Sequence, residues 1–254
     1  MKKYCIKVSY GSIKNTKQKD KPNEDCVFYD RDKDIFILLD GVSRDNVEGK
    51  YPIPSPAVEA VQLLKESIYR SLLHSRGEPE DRLWKAIEAA NKEANQYNQI
   101  HNFDFAAGAV GIIAFLTDNW LYYAYIGDCS GRVITGQEVI VFTTCQTSNI
   151  SKHKQEYTTY EIRNIICNDI KHPCGYGVLN GDNGAMDFIQ TGRINISSVD
   201  QIILSSDGME DYLLQMPVNV IREKDAQGLL DDAIKFNDKL QDDRSIIKIE
   251  VDKR

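Results

Sequence analysis

The chain has 254 residues, 42% hydrophobic and 27% charged, with a formal net charge of −7 and a pI near 5.2. That length buries a core without staples, and scattered Lys and Arg on an acidic chain argue against nucleic acid or an anionic membrane as the primary partner. No apolar run approaches the ~18 residues of a membrane span, and MKKYCIKVSYGS lacks the apolar stretch of a signal peptide, so the chain reads as soluble, cytoplasmic and monomeric.

The elements follow in order. YCIKVSY predicts a strand, a polar lysine-rich loop covers 11–22, and CVFYD and DIFILLD, joined by RDKD, predict a hairpin. The proline-rich stretch after Asp40–Gly41 is loop. Ser55–Pro56 reads as the start of a helix carrying Val58, Val61, Leu64, Ile68 and Leu72 at helical spacing. A second helix spans Pro79 to Asn98. AVGIIAFL, WLYYAYI, GRVIT and EVIVF form a meander whose short links require antiparallel pairing. Residues 143–160 read as a polar loop, part of a flap region around 143–180. Further strands are expected near 186–190, 192–196 and 201–205, then a short helix after Asp207–Gly208, a helix over 225–240 and a closing strand, SIIKIEV. About ten hairpin-connected strands with helices in separate blocks predict a single α+β domain over 1–254, two antiparallel sheets stacked with helices outside.

Four strand-like runs meet an aspartate: Asp40, Asp128, Asp207 and the Asp242–Asp243 pair. Taken singly, each can be a turn residue or a helix cap. Together they predict one acidic site, and clustered carboxylates need a cation to neutralise them. Oxygen donors without paired His or Cys point to Mg²⁺ or Mn²⁺ rather than zinc. Cys167, His172 and Cys174 are loosely grouped, but no second pair completes a tetrahedral zinc set.

The order NED, DG, GDCSGR, LSSDG, DDRS, spread over nearly the whole chain, resembles the metal-dependent protein phosphatases of the PPM family, the type 2C Ser/Thr phosphatases, in their bacterial form. The resemblance implies a four-layer α/β-β/α sandwich and two Mn²⁺ or Mg²⁺ ions, with a third possible. Asp40 matches the bridging carboxylate, Gly41 a backbone carbonyl ligand, and Asp207 and Asp242 the other direct ligands. Asp128 matches a contributor to a third, weaker site. Asp25 matches a carboxylate holding metal-bound water, and Glu24 stands beside it. The activity implied is hydrolysis of phosphoserine and phosphothreonine in proteins by water or hydroxide bridging two ions about 3.5–4 Å apart, with a cognate Ser/Thr kinase as a possible partner. Cys129, next to Asp128, is not expected to act as a nucleophile. The chain departs from the family in lacking an arginine before NED, which leaves Lys19, Lys21 or Arg44 to grip phosphate. Asp243 replaces the common Asn. These departures keep open a pseudophosphatase, a binding module on the same fold. An aspartyl-nucleophile phosphohydrolase is disfavoured, since no DxDGT-like strand end occurs.

Overall fold

Alternation along one strand accounts for the layering. The computed structural model describes residues 4–18, 20–42, 50–237 and 242–252. In it, β3 (Ile35–Gly41) sends Ile35, Ile37 and Leu39 into one buried cluster and Phe36 and Leu38 into another. A strand covered on both faces reads as an unbroken apolar run, which is why IFILL shows no polar alternation.

The other strands are β1 (Cys5–Ile13), β2 (Asp25–Asp30), β4 (Ala109–Thr117), β5 (Trp120–Ile126), β6 (Ser130–Thr135), β7 (Glu138–Val141), β8 (Gln190–Asn195), β9 (Gln201–Ser205) and β10 (Arg244–Asp252). They form two five-stranded sheets, ordered β1-β10-β9-β6-β7 and β2-β3-β4-β5-β8, and every pairing is antiparallel. The expected α+β sandwich is therefore the observed one. Phe36, Leu38, Ile112 and Ala114 of the second sheet meet Ile202, Leu204, Ile247 and Ile249 of the first in the central layer.

Helices α1 (Pro56–His74) and α2 (Pro79–His101) cover the second sheet through Val61, Leu64, Ile68, Leu83 and Ile87. Ser55 caps α1 by accepting from Val58 N, as its sequence position predicts. α2 continues past Asn98 and stops where Asn102 turns left-handed. Segments α3 (Ser148–His153), α4 (a single turn, Thr159–Glu161), α5 (Glu210–Gln215), α6 (Val218–Glu223) and α7 (Ala226–Phe236) complete the helices. The last three pack outside the first sheet on Ile134, Ile203 and Ile246.

Four further details differ from the sequence expectation. β1 runs on to Ile13, into the expected loop. The region read as loop over 143–160 holds α3 and α4, with Ile150, Ile166 and Cys174 as a small core; apolar residues this sparse give no helical period. Residues 183–188 form a 3₁₀ turn rather than a strand, because the Asp182 side chain accepts from Gly184 N and starts it. α6 was not expected; it is anchored by Lys248 on β10, fully buried, whose Nζ donates to the carbonyls of Ile221, Arg222 and Lys224 at 2.9, 2.8 and 2.5 Å. Among the described residues no helix is long and apolar enough to cross a membrane.

Candidate metal centre

The alternation that builds the core also aims the carboxylates. Side chains two apart on a strand share a face, so Asp40 continues the Phe36–Leu38 face into the gap between the sheets. Asp25 is its partner across β2 and β3, on the face of Val27 and Tyr29, which pack on the same central layer. From the first sheet, Ile202 and Leu204 of β9 lead to Asp207, and Asp242 lies just before β10. Asp128 sits where the chain crosses from β5 in one sheet to β6 in the other.

The five sequence-predicted carboxylates converge. Burial first, then the charges of Asp25, Asp207, Asp242 and Asp128, holds the Asp40 carboxyl well above its usual range. Asp207 is raised likewise, by burial and then by Asp242, Asp128 and Asp25, while a hydrogen bond with Asp40 opposes the shift. Burial, with the Asp243 charge behind it, pushes Asp25 up to about 7 against hydrogen bonds from Ser245 and Ser206. Burial also raises Asp128 and Asp242. Carboxyls packed this closely keep protons unless a cation replaces them.

Neighbours fix their orientation. Ser206 Oγ donates to Asp25 Oδ2 at 2.9 Å, Thr147 Oγ1 to Asp128 Oδ2 at 2.9 Å, and Asp243 N to Asp242 Oδ1 at 2.9 Å. Asp25 Oδ1 and Asp207 Oδ1 are buried with no hydrogen-bond partner. Two orphaned carboxylate oxygens within an all-oxygen donor set suit a hard divalent cation. Among the described residues no three His, Cys, Asp or Glu side chains are already closed into a metal-holding group; the carboxylates would have to draw in around the ion.

Two acidic residues do a different job. Asp243 is buried, and its two oxygens accept Asn15 N at 2.7 Å and Glu24 N at 2.8 Å. Glu24 Oε1 accepts from Ser55 Oγ at 2.6 Å and from the Tyr51 hydroxyl. Lys21 Nζ lies 3.3 Å from Glu24 and 3.9 Å from Asp243. Burial alone would lower the Lys21 pKa, but the charges of Glu24, Asp243 and Asp242 outweigh it and raise it. At 5% exposure, Lys21 would have to leave both carboxylates to reach a phosphate. Lys19 and Arg44, the other expected phosphate contacts, lie outside the described residues.

Glycine provides the close approaches. A Cβ on Gly41 would stand 2.8 Å from Glu24 O, and one on Gly208 would stand 2.0 Å from Asp243 O. Gly208 thereby lets the turn after β9 touch the entry to β10, bringing Asp207 beside Asp242. Cys129 is buried, and burial followed by the charges of Asp40, Asp128 and Asp207 keeps its thiol well above the usual range, which disarms it as a nucleophile.

The site opens into a cavity of about 250 Å³ lined by Asp128, Asp207, Glu210, Ser130, Thr147 and Val141, among others. Sequence reasoning missed Glu210, whose Oε2 is held by buried Arg132 at 2.7 Å and Ser130 Oγ at 2.8 Å; the Arg of GDCSGR and the acid three residues after Asp207 were the available signal. A larger cleft of about 560 Å³ contains none of the five carboxylates. Several of its asparagines, including Asn95 and Asn98, are spent on the protein's own backbone.

No protein-family model matches the chain, and no curated protein matches it. Solved structures do. A bacterial serine phosphatase bearing an Arg-to-Lys substitution is 16% identical, with a TM-score of 0.73 over 98% of this chain and 99% of that one. The Mycobacterium tuberculosis serine/threonine phosphatase PstP is 17% identical, with a TM-score of 0.70 over 96% and 98%. The catalytic domain of PstP in complex with two manganese ions is 18% identical, with a TM-score of 0.69 over 97% and 98%. The chain carries the fold of these bacterial phosphatases.

Proposed function

We propose that this chain is a PPM-type protein phosphatase that hydrolyses phosphoserine and phosphothreonine in proteins with Mn²⁺ or Mg²⁺. One observation carries the reading: five carboxylates from separate segments converge at one end of the gap between two sheets, with Asp25 Oδ1 and Asp207 Oδ1 buried and unpartnered. The fold shared with bacterial serine/threonine phosphatases supports it.

Asp40, Asp207 and Asp242 would hold two ions, with the Gly41 carbonyl as a further oxygen donor and Asp128 available to a third ion. Bound divalent cations supply positive charge for the phosphate and activate water for in-line attack. Asp25, which accepts from Ser206, would orient water beside them. Glu24, Asp243 and Lys21 form the frame that keeps β2 and the entry to β10 together. In this reading the chain is one phosphatase domain, monomeric and cytoplasmic, acting on phosphoproteins that a Ser/Thr kinase supplies.

The engagement of Lys21 with Glu24 and Asp243 favours one alternative, a pseudophosphatase that binds phosphoprotein without turnover. A single experiment separates the two. Mn²⁺-dependent hydrolysis of a small aryl phosphate and of a phosphothreonine peptide is measured beside calorimetric Mn²⁺ binding. Turnover that disappears on chelation is expected; tight Mn²⁺ binding without turnover of either substrate would leave the binding module.

A further inference from the structure

β7 ends the first sheet, and among the described residues it pairs with β6 alone. The hairpin settles which of its backbone groups are spent. Thr135 and Glu138 face each other across Gly136–Gln137, and Phe142 N donates to Gly131 O at 2.9 Å. Opposed residues in an antiparallel ladder alternate between bonded and non-bonded pairs, so Glu138, Ile140 and Phe142 turn their N–H and C=O toward β6. Val139 and Val141 turn theirs outward. The side chains there are open too, with Val139, Ile140 and Val141 38%, 54% and 45% exposed. Soluble proteins blunt such edges with charge, proline or a bulge. Here three consecutive β-branched residues stand uncovered.

The location tells what the edge serves. Val141 lines the cavity that holds Asp128 and Asp207, so the edge runs into the candidate metal centre. We propose that β7 is the docking edge for substrate: an extended segment of the phosphoprotein adds to it as a sixth strand and delivers its phosphorylated residue to the cavity. Main-chain hydrogen bonds to Val139 and Val141 give affinity with little demand on sequence, and the exposed β-branched side chains favour apolar neighbours. At roughly 3.3 Å per residue, the docked run lies within a few residues of the phosphate. The inference rests on the phosphatase reading and names how that site takes its substrate.

The test is an N-methyl scan of short fluorescent phosphothreonine peptides carrying a Val-Ile-Val run before or after the phosphothreonine, with binding read by anisotropy in Mg²⁺. Methylating residues whose N–H would face β7 should weaken binding about tenfold, as expected for a lost hydrogen bond and a steric block. Methylating the residues between them should leave binding unchanged, so the losses have a period of two. Val139→Pro removes an outward N–H while sparing the β6 ladder; it should flatten the scan while its thermal melt stays cooperative. If that variant does not fold, the scan on the natural chain stands alone. A flat scan on the natural chain overturns the proposal. So does a dimer in sedimentation that Val139→Pro dissociates without changing peptide affinity, since a second copy would then occupy the edge. A period-two scan without phosphatase turnover keeps the docking edge and rejects the catalytic reading; turnover with a flat scan does the reverse.

Discussion

Asp242 and Asp243 are adjacent and chemically identical, yet their substitutions should fail in opposite ways. Asp243 is buried, and each of its oxygens accepts a backbone N–H, from Asn15 and from Glu24, at 2.7 and 2.8 Å. Hydrogen bonds to a charged acceptor contribute about 1.5–3 kcal/mol each. Asp243→Ala strands both donors and leaves Lys21 with one carboxylate fewer, so about 4 kcal/mol of stability should be lost. Among the described residues Asp242 accepts from the neighbouring Asp243 N, and burial and the Asp243 and Asp128 charges raise its pKa despite Lys21. Asp242→Asn removes that repulsion, so the metal-free protein should be as stable as the parent or slightly more so. What it should lose is the stabilisation that Mn²⁺ confers by binding the folded chain alone. Urea denaturation of both variants, in chelator and in Mn²⁺, reads both effects. A large metal-free loss for Asp242→Asn, or a negligible one for Asp243→Ala, would refute this division of labour.

Other expectations follow from the same geometry. Asp207→Asn should abolish Mn²⁺-dependent hydrolysis of aryl phosphate while raising metal-free stability, because it removes one of the charges that crowd Asp40; assay and melt on one preparation check both. In chelator, stability should fall as pH rises. The folded Asp25 keeps its proton up to about 7 whereas the ordinary value is 3.8, so between those values the folded state binds more protons, at about 1.4 kcal/mol per pH unit for each. Denaturation midpoints at pH 5 and pH 8 test this, and Mn²⁺ should remove the slope by replacing the protons. Lys248→Met should cost about 3 kcal/mol by stranding three carbonyls without altering turnover per folded molecule. A changed kcat would overturn that separation.

Much of this was legible because apolar runs are directional. IFILL followed by Asp–Gly marks a buried strand and the place where it surfaces, and period-two geometry then puts Asp40 opposite Asp25. Less legible was anything set by contacts between distant segments. Lys21 stands near NED and reads as a phosphate contact; its burial depends on Asp243, which also binds Asn15 across 228 positions. Nothing local distinguishes Asp243 from Asp242. The helices at 148–161 escaped for a different reason: local capping, such as the reciprocal Thr158–Glu161 pair, holds them more than an apolar stripe does.

The pairing of β1 with β10 also has a consequence in time. Ile13 lies opposite Arg244 and Cys5 opposite Asp252, so among the described strands β1 has no partner at its side until β10 is made. At about 5–20 residues per second, a ribosome takes roughly ten to fifty seconds to cover that interval. Throughout it the first sheet lacks the strand between β1 and β9, and the acidic cluster lacks Asp242. The second sheet's β2 to β5 and the two helices over it are complete much earlier and can fold first. Self-repulsion among all five carboxylates therefore arrives only once β10 has been made, when the sheet that confines them closes.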